Sequence, residues 1–171
     1  GALTGDDGPG VLAAAAALAR EVGAFADGWN GFNVLHTAAS RVGGLDVGFV
    51  PGEGGKTFGE MASGGVNVLF NLGADEVEIA PGPFVVYIGT HGDRGAHRAD
   101  VILPGAAYTE KDGTFVNLEG RAQVSSRAAF PPGDAREDWT IVRALSDMLD
   151  KRLPYDDLAG VRARMNEISP H

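Results

Sequence analysis

Two short runs set the class of fold. Residues 66–72 read VNVLFNL and residues 84–89 read FVVYIG, both nearly continuous apolar stretches. A strand with one face in water alternates polar and apolar residues. A continuous run of this length instead suits a strand buried on both faces, as in a parallel sheet covered by helices. A third run, VIL at 101–103, is stopped by Pro104, which has no N–H to continue a ladder. The segments between these runs are long enough for parallel crossovers. The expected fold is α/β: a mostly parallel sheet flanked by helices, with a small β-hairpin extension and a helical C-terminus.

Helix signals surround these strands. Asp6 or Asp7 is placed to cap a first helix, with Pro9 in its first turn, running through VLAAAAALAREVGAF. Asn30 is placed to cap a second helix, NVLHTAASRV. Its Val34, Leu35, Ala38, Ala39 and Val42 follow the helical period, and Gly43 and Gly44 end it. Trp29, just before it, is expected to pack as a hydrophobic staple. Residues 43–65 are glycine-rich and loop-like, apart from one short helix at TFGEMAS. Later, Glu137 or Asp138 starts a helix with a buried stripe of Ile141, Val142, Leu145, Met148 and Leu149. Trp139 anchors that helix in the core. A terminal helix covers 158–168. There are no repeats and no internal linker, so residues 1–171 read as a single domain.

The stretch YTEKDGTFVNLEGR, at 108–121, is dense in charge. Glu110, Asp112 and Glu119 oppose Lys111 and Arg121. A loop that clasps a pyrophosphate would carry surplus positive charge or bare helix-start amides, and this one does not. Gly113 and Gly120 mark tight turns around a hairpin of TFVNL and RAQVS. The stretch therefore reads as a tied hairpin, with Arg121 bidentate to Glu110 or Glu119. Pro104, Glu110, Gly113, Asn117, Glu119, Gly120 and Arg121 are its expected structural residues.

Several function classes are disfavoured on composition. The net charge of −9 makes nucleic acid a poor partner, because that binding rests on phosphate neutralisation by Lys and Arg. The longest apolar run, at 11–19, has nine residues, against about 20 for a membrane span, so no direct membrane insertion is expected. The chain has no Cys, hence no thiol nucleophile and no thiolate for an iron–sulfur cluster.

The local motifs fail on their spacing. GEGGKT at 52–57 lacks the first glycine of a P-loop, which falls on Val50. GTHGDRG at 89–95 follows a strand, where α/β proteins bind ligands. Its spacing is not GxGxxG, however, and Asp93 opposes the phosphate that Arg94 attracts. His91, Asp93 and His97 fall short of the four ligands of a structural zinc site, so no metal is expected. Ser40, Ser63, Ser125 and Ser126 sit in no GxSxG elbow, and no catalytic residue is assigned.

A longer pattern carries a family resemblance. ADVILPGAAYTEKDGTFVNLEGRAQ at 99–123 is followed by PPGDAREDW at 131–139. Together they resemble the C-terminal part of the large iron–sulfur subunits of respiratory NADH:quinone oxidoreductase, complex I. GFNVLHTAASRVGGLDVGFVPG, VNVLFNLGAD and YIGTHGDRGAHRADV fit the same family, so the match covers nearly the whole chain. That subunit is in turn similar to molybdopterin oxidoreductases such as formate dehydrogenase.

The resemblance implies a structural domain of the peripheral arm, excised from a longer subunit whose N-terminal strand and Cys-rich iron–sulfur region are missing here. It implies no cofactor in this fragment and no catalysis by the fragment alone, with electrons carried by clusters in the absent part. Its partners would be other peripheral-arm subunits and the N-terminal part of its own subunit. Its place would be the cytoplasmic face of a bacterial inner membrane, or the matrix side in mitochondria. In the alternative reading, the loops at 73–76, 89–95 and 108–113 still hold a pterin or nucleotide. Asp75, Thr90, His91, Glu110 and Gly113 are then the vestigial pterin-site candidates. A third expectation makes the glycine-rich loop at 43–65 a partner-docking segment.

Overall fold

The computed structural model describes residues 5–36, 38 and 41–170. Helix α1 (Gly8–Glu21) leads into a small antiparallel ladder of β1 (Phe25–Ala26) and β2 (Trp29–Asn30). Two short helices follow, α2 (Arg41–Asp46) and α3 (Phe58–Ala62). Then come β3 (Val68–Leu72), β4 (Phe84–Gly89), helix α4 (Arg94–Arg98) and β5 (Val101–Pro104). A hairpin of β6 (Gly113–Val116) and β7 (Ala122–Ser125) precedes α5 (Asp138–Met148) and α6 (Leu158–Ile168).

The three expected strands form one sheet in the order β3-β4-β5, with both pairings parallel. Central β4 supplies the core: Val85, Tyr87 and Ile88 are essentially inaccessible. Asp100 pins β5 to the start of β4, accepting from Val85 N through Oδ2 at 2.8 Å while its own N–H donates to Val85 O. Arg98 closes the same corner, bonding the carbonyls of Ala80 and Pro83 and pairing with Asp100 at 3.6 Å.

Burial on both faces holds for β4 from Val85 to Ile88, and not for its first residue or its neighbours. The register places Val68, Phe70 and Leu72 beside Phe84, Val86 and Ile88, on one face. There Val68, Phe70, Leu72 and Phe84 are 51%, 48%, 52% and 49% exposed. The opposite face carries Asn71, Val85 and Tyr87, all buried. An apolar run shows that a strand seeks cover on both sides. It does not show that the cover lies within the same 171 residues.

The N-terminal third departs from expectation. Helix α1 stops at Glu21; Gly23, at φ +72°, turns the chain, and Phe25 enters the ladder with Asn30. Asp7 holds the N-cap position but makes no side-chain cap bond. The expected second helix is not formed over Asn33–His36, which is irregular; Thr37, Ala39 and Ser40 lie outside the described residues. The helix begins at Arg41 instead and runs through Gly43 and Gly44. A Cβ on Gly43 would lie 3.3 Å from Val116 Cγ2, so close packing of α2 on β6 outweighs the poor helix propensity of glycine. Asn30 accepts from Phe32 N at 3.0 Å, tying a local turn rather than capping a helix. Trp29 lies exposed in β2 and is no staple.

Helix α3 forms as expected, closed by a reciprocal box. Thr57 N donates to Glu60 Oε2 at 2.7 Å, and Glu60 N donates to Thr57 Oγ1 at 3.4 Å. The bond from Thr57 N, then that from the Thr57 hydroxyl, which donates to Glu60 Oε2 at 2.8 Å, hold the Glu60 carboxyl below the ordinary glutamate range.

Helix α5 keeps its place but rotates its burial. Val142, Met148 and Leu149 of the expected stripe are exposed, whereas Arg143 and Ser146 are buried. The segment after α5 folds back over the polar side. Arg143 Nε donates to Tyr155 O, and Ser146 Oγ accepts from Leu153 N. Asp157 then caps α6 through Gly160 N at 2.7 Å. Ile141, Leu145 and Met148 are left lining an open groove of about 520 Å³ with Leu103 of β5.

Candidate functional site

In an open parallel sheet, ligands are met at the carboxyl ends of the strands. Here that end carries the loop after β3, with Asp75, and the loop after β4, with Thr90 and His91. The Tyr87 side chain rises from β4 between them. Its hydroxyl donates to Asp75 Oδ1 at 2.6 Å, with His91 O at 3.1 Å as a second acceptor. Burial, then the bond to Asp75, pushes the phenol well above the ordinary tyrosine range.

The surrounding groups are tied to one another. Asp75 O accepts from Gly95 N at 2.8 Å, and Asn71 Nδ2 donates to Ala74 O at 3.0 Å. Thr90 Oγ1 and His91 Nδ1 share a 2.7 Å bond at the surface. Asp93 caps the single turn of α4 through Gly95 N, and Arg94 pairs with Glu78 at 3.2 Å. The two charges of GTHGDRG therefore face separate partners within the chain. Of the candidates read from sequence, Asp75 and His91 meet at the Tyr87 hydroxyl, and Thr90 bonds the His91 ring.

Glu110 and Gly113 do not join them by any hydrogen bond among the described residues. Glu110 Oε2 accepts from Ala107 N at 2.9 Å, and Glu110 N donates to Ala107 O, closing a turn after β5. Gly113 pairs with Ser125 across the hairpin, and a Cβ there would lie 2.7 Å from Phe115 Cε2. Pro104 O accepts from Arg136 N at 3.0 Å, fastening the end of β5 to the approach to α5.

The hairpin is tied, but by other atoms than expected. Arg121 makes no ion pair with Glu110 or Glu119 among the described residues, which corrects the bidentate reading. Asn117 does the tying: its Oδ1 accepts from Glu119 N at 3.0 Å and from Arg121 N at 2.9 Å. Gly120 N donates to Asn117 O, with Gly120 at φ +78°. The reason is direction. The side-chain amide of Asn117 reaches back over its own turn, whereas the Arg121 side chain faces water.

Two residues missed by sequence reasoning hold the stretch in place. Lys111 pairs with Asp138 at the start of α5, both one-third exposed or less. Asp112 Oδ1 accepts from Arg127 N at 3.1 Å. An acidic residue in the first turn of a helix was a legible signal, but its partner 27 residues away was not.

A family model for molybdopterin oxidoreductases matches residues 1–148. The chain belongs to the molybdopterin oxidoreductase family. Among curated proteins, it is 54% identical over 146 residues to the mitochondrial NADH-ubiquinone oxidoreductase 78 kDa subunit of Candida albicans. That match covers 84% of this chain and 19% of the relative. It is 51% identical to the 75 kDa subunit of Reclinomonas americana, over 84% of this chain and 21% of the relative. It is 56% identical to the 78 kDa subunit of Neurospora crassa, over 83% and 19%. The chain thus spans about a fifth of the length of these family members.

Family membership raises the question of which groups these residues fit. A thiolate-bound iron–sulfur cluster does not fit, because the chain has no Cys. At the post-strand loops, the Tyr87 ring is 1% exposed and its hydroxyl bonds both loops, at Asp75 Oδ1 and His91 O.

Proposed function

We propose that this chain is the C-terminal α/β domain of the large subunit of an NADH:quinone oxidoreductase, and that it acts there as a scaffold. Electrons would pass through iron–sulfur clusters held elsewhere in that subunit, and this domain would carry no cofactor of its own. The observation that carries the reading is the 51–56% identity to complex I subunits over 83–84% of the chain. The site supports it: Asp75, Tyr87 and Asp93 are each bonded within the chain.

The partners in this reading are the rest of the same subunit and its neighbours in the peripheral arm. The half-exposed face of Val68, Phe70, Leu72 and Phe84 is the surface offered to them, since apolar side chains gain roughly 25 cal/mol per Å² when covered. Among the described residues, no helix is long and apolar enough to cross a membrane. The proposed place is the cytoplasmic face of a bacterial inner membrane, or the matrix side of a mitochondrial one.

The test replaces Phe70 and Leu72 together by Asp in the full-length subunit of a bacterium that carries it. The expected result is loss of assembled complex on native gels and of NADH:quinone activity, while the free subunit keeps its cluster signals. Normal assembly and activity would sink the scaffold reading.

A further inference from the structure

We infer that Tyr87 is a built-in occupant of the crevice where a parallel α/β sheet seats its ligand, and that this one ring keeps the site free of flat heterocyclic ligands. The inference deepens the scaffold reading and rests on it only for the expectation that nothing is bound here.

Geometry supplies the argument. The ring sits under the loops after β3 and β4, the two loops that would meet a ligand. A Cβ on Gly95 would lie 3.0 Å from Tyr87 Cε2, and one on Gly89 would lie closer still. Glycine at both positions is what gives the ring its room. Its hydroxyl is held by a carboxylate at 2.6 Å, short enough for a charge-assisted bond. The backbone carbonyl of Asp75 in turn accepts from Gly95 N at 2.8 Å. Tyr108, by contrast, stands exposed, and the His91 ring bonds Thr90 at the surface. A flat heterocycle that took the place of the Tyr87 ring would leave the half-buried Asp75 carboxylate without its donor. The two loops keep the arrangement of a ligand site, and the chain fills it with a phenol.

The test uses the 171-residue chain, Tyr87→Ala, and 4-methylphenol as the probe. The variant is expected to melt below the wild type and to regain several degrees in millimolar 4-methylphenol, as linkage requires of a ligand that binds only the folded state. Toluene, which offers no donor to Asp75, should recover less, and the wild type should respond to neither. A folded variant indifferent to 4-methylphenol would overturn the inference. The wild type gives a second measurement should the variant fail to fold. Nitration of the native chain by tetranitromethane should spare Tyr87 and modify Tyr108, with rates differing by roughly tenfold or more. Equal rates would overturn the inference, as would guanosine monophosphate binding that speeds modification of Tyr87. Neither readout depends on complex assembly, so this result and the scaffold test can fail separately.

Discussion

Arg143 grips Asp156 with two nitrogens: Nε and Nη2 both donate to Oδ1, at 3.1 and 2.7 Å. The guanidinium also pairs with Asp147 at 2.7 Å, so one nearly buried cation fastens α5 to the segment that leads into α6. Arg152 adds a second cation to Asp156 at 2.9 Å. The Asp156 carboxyl is therefore held below the ordinary aspartate range, first by the Arg143 bond and then by Arg152, with desolvation acting the other way. A carboxyl lowered in the folded state contributes stability that is present above its unfolded value of about 3.9 and is lost as pH falls through the lower folded value. Asp156→Asn should melt below the wild type at neutral pH, and the gap should close as pH is taken below about 4. Thermal melts of both proteins across that range check this; a gap that stays constant contradicts it.

The hairpin offers a contrast between two neighbours. Asn117→Ala removes the acceptor of two backbone N–H groups and should cost roughly 1–2 kcal/mol. Arg121→Ala removes an exposed side chain and should change stability by no more than about 0.5 kcal/mol. Urea denaturation of the two variants decides which residue holds the turn. A larger loss for Arg121→Ala would restore the ion-pair picture.

Gly95 is constrained by packing rather than by its backbone angle. A Cβ there meets the Tyr87 ring and, at 2.9 Å, Asn71 Nδ2. Gly95→Ala should therefore destabilise by about 1–3 kcal/mol through overpacking. In the double variant with Tyr87→Ala the penalty should shrink, because the ring that blocks the methyl is gone. Additive losses in that cycle would separate Gly95 from the plug.

Thr57 caps a five-residue helix that has little else to hold its start. Thr57→Ala should cost about 1 kcal/mol, whereas Thr57→Ser should cost far less, since the hydroxyl is kept. Hydrogen exchange at Met61 N, which bonds Thr57 O across this turn, reports the change directly. Equal protection in both variants would mean that tertiary contacts, not the cap, set the helix.

Local chemistry explains what was legible in the sequence. The strand at 84–89 and the terminal helix at 158–168 lie where periodicity placed them. The hairpin turn at 117–120 follows from Asn and Gly, whose preferences are those of a single turn. The site was legible only in part. Asp75, Thr90 and His91 could be placed after parallel strands, but Tyr87, the partner of Asp75 and His91, reads in sequence as one more residue of an apolar run. Period-two alternation tells which strand residues share a face. It carries no information on whether a ring rising from that face meets a carboxylate or a ligand.

By itself the sequence determined the class of fold, the strand set, the charge balance that disfavours nucleic acid, and the family pattern. Each rests on residues close together in the chain. Tertiary structure alone decided three things. It chose which face of α5 is buried, because Arg143 found Asp156 in the segment beyond the helix. It left Arg121 without the partner its charge suggested, because that side chain faces outward. And it set Tyr87 against Asp75, twelve residues away, because parallel strands bring their carboxyl-end loops side by side, and only that juxtaposition gives a buried hydroxyl its acceptor.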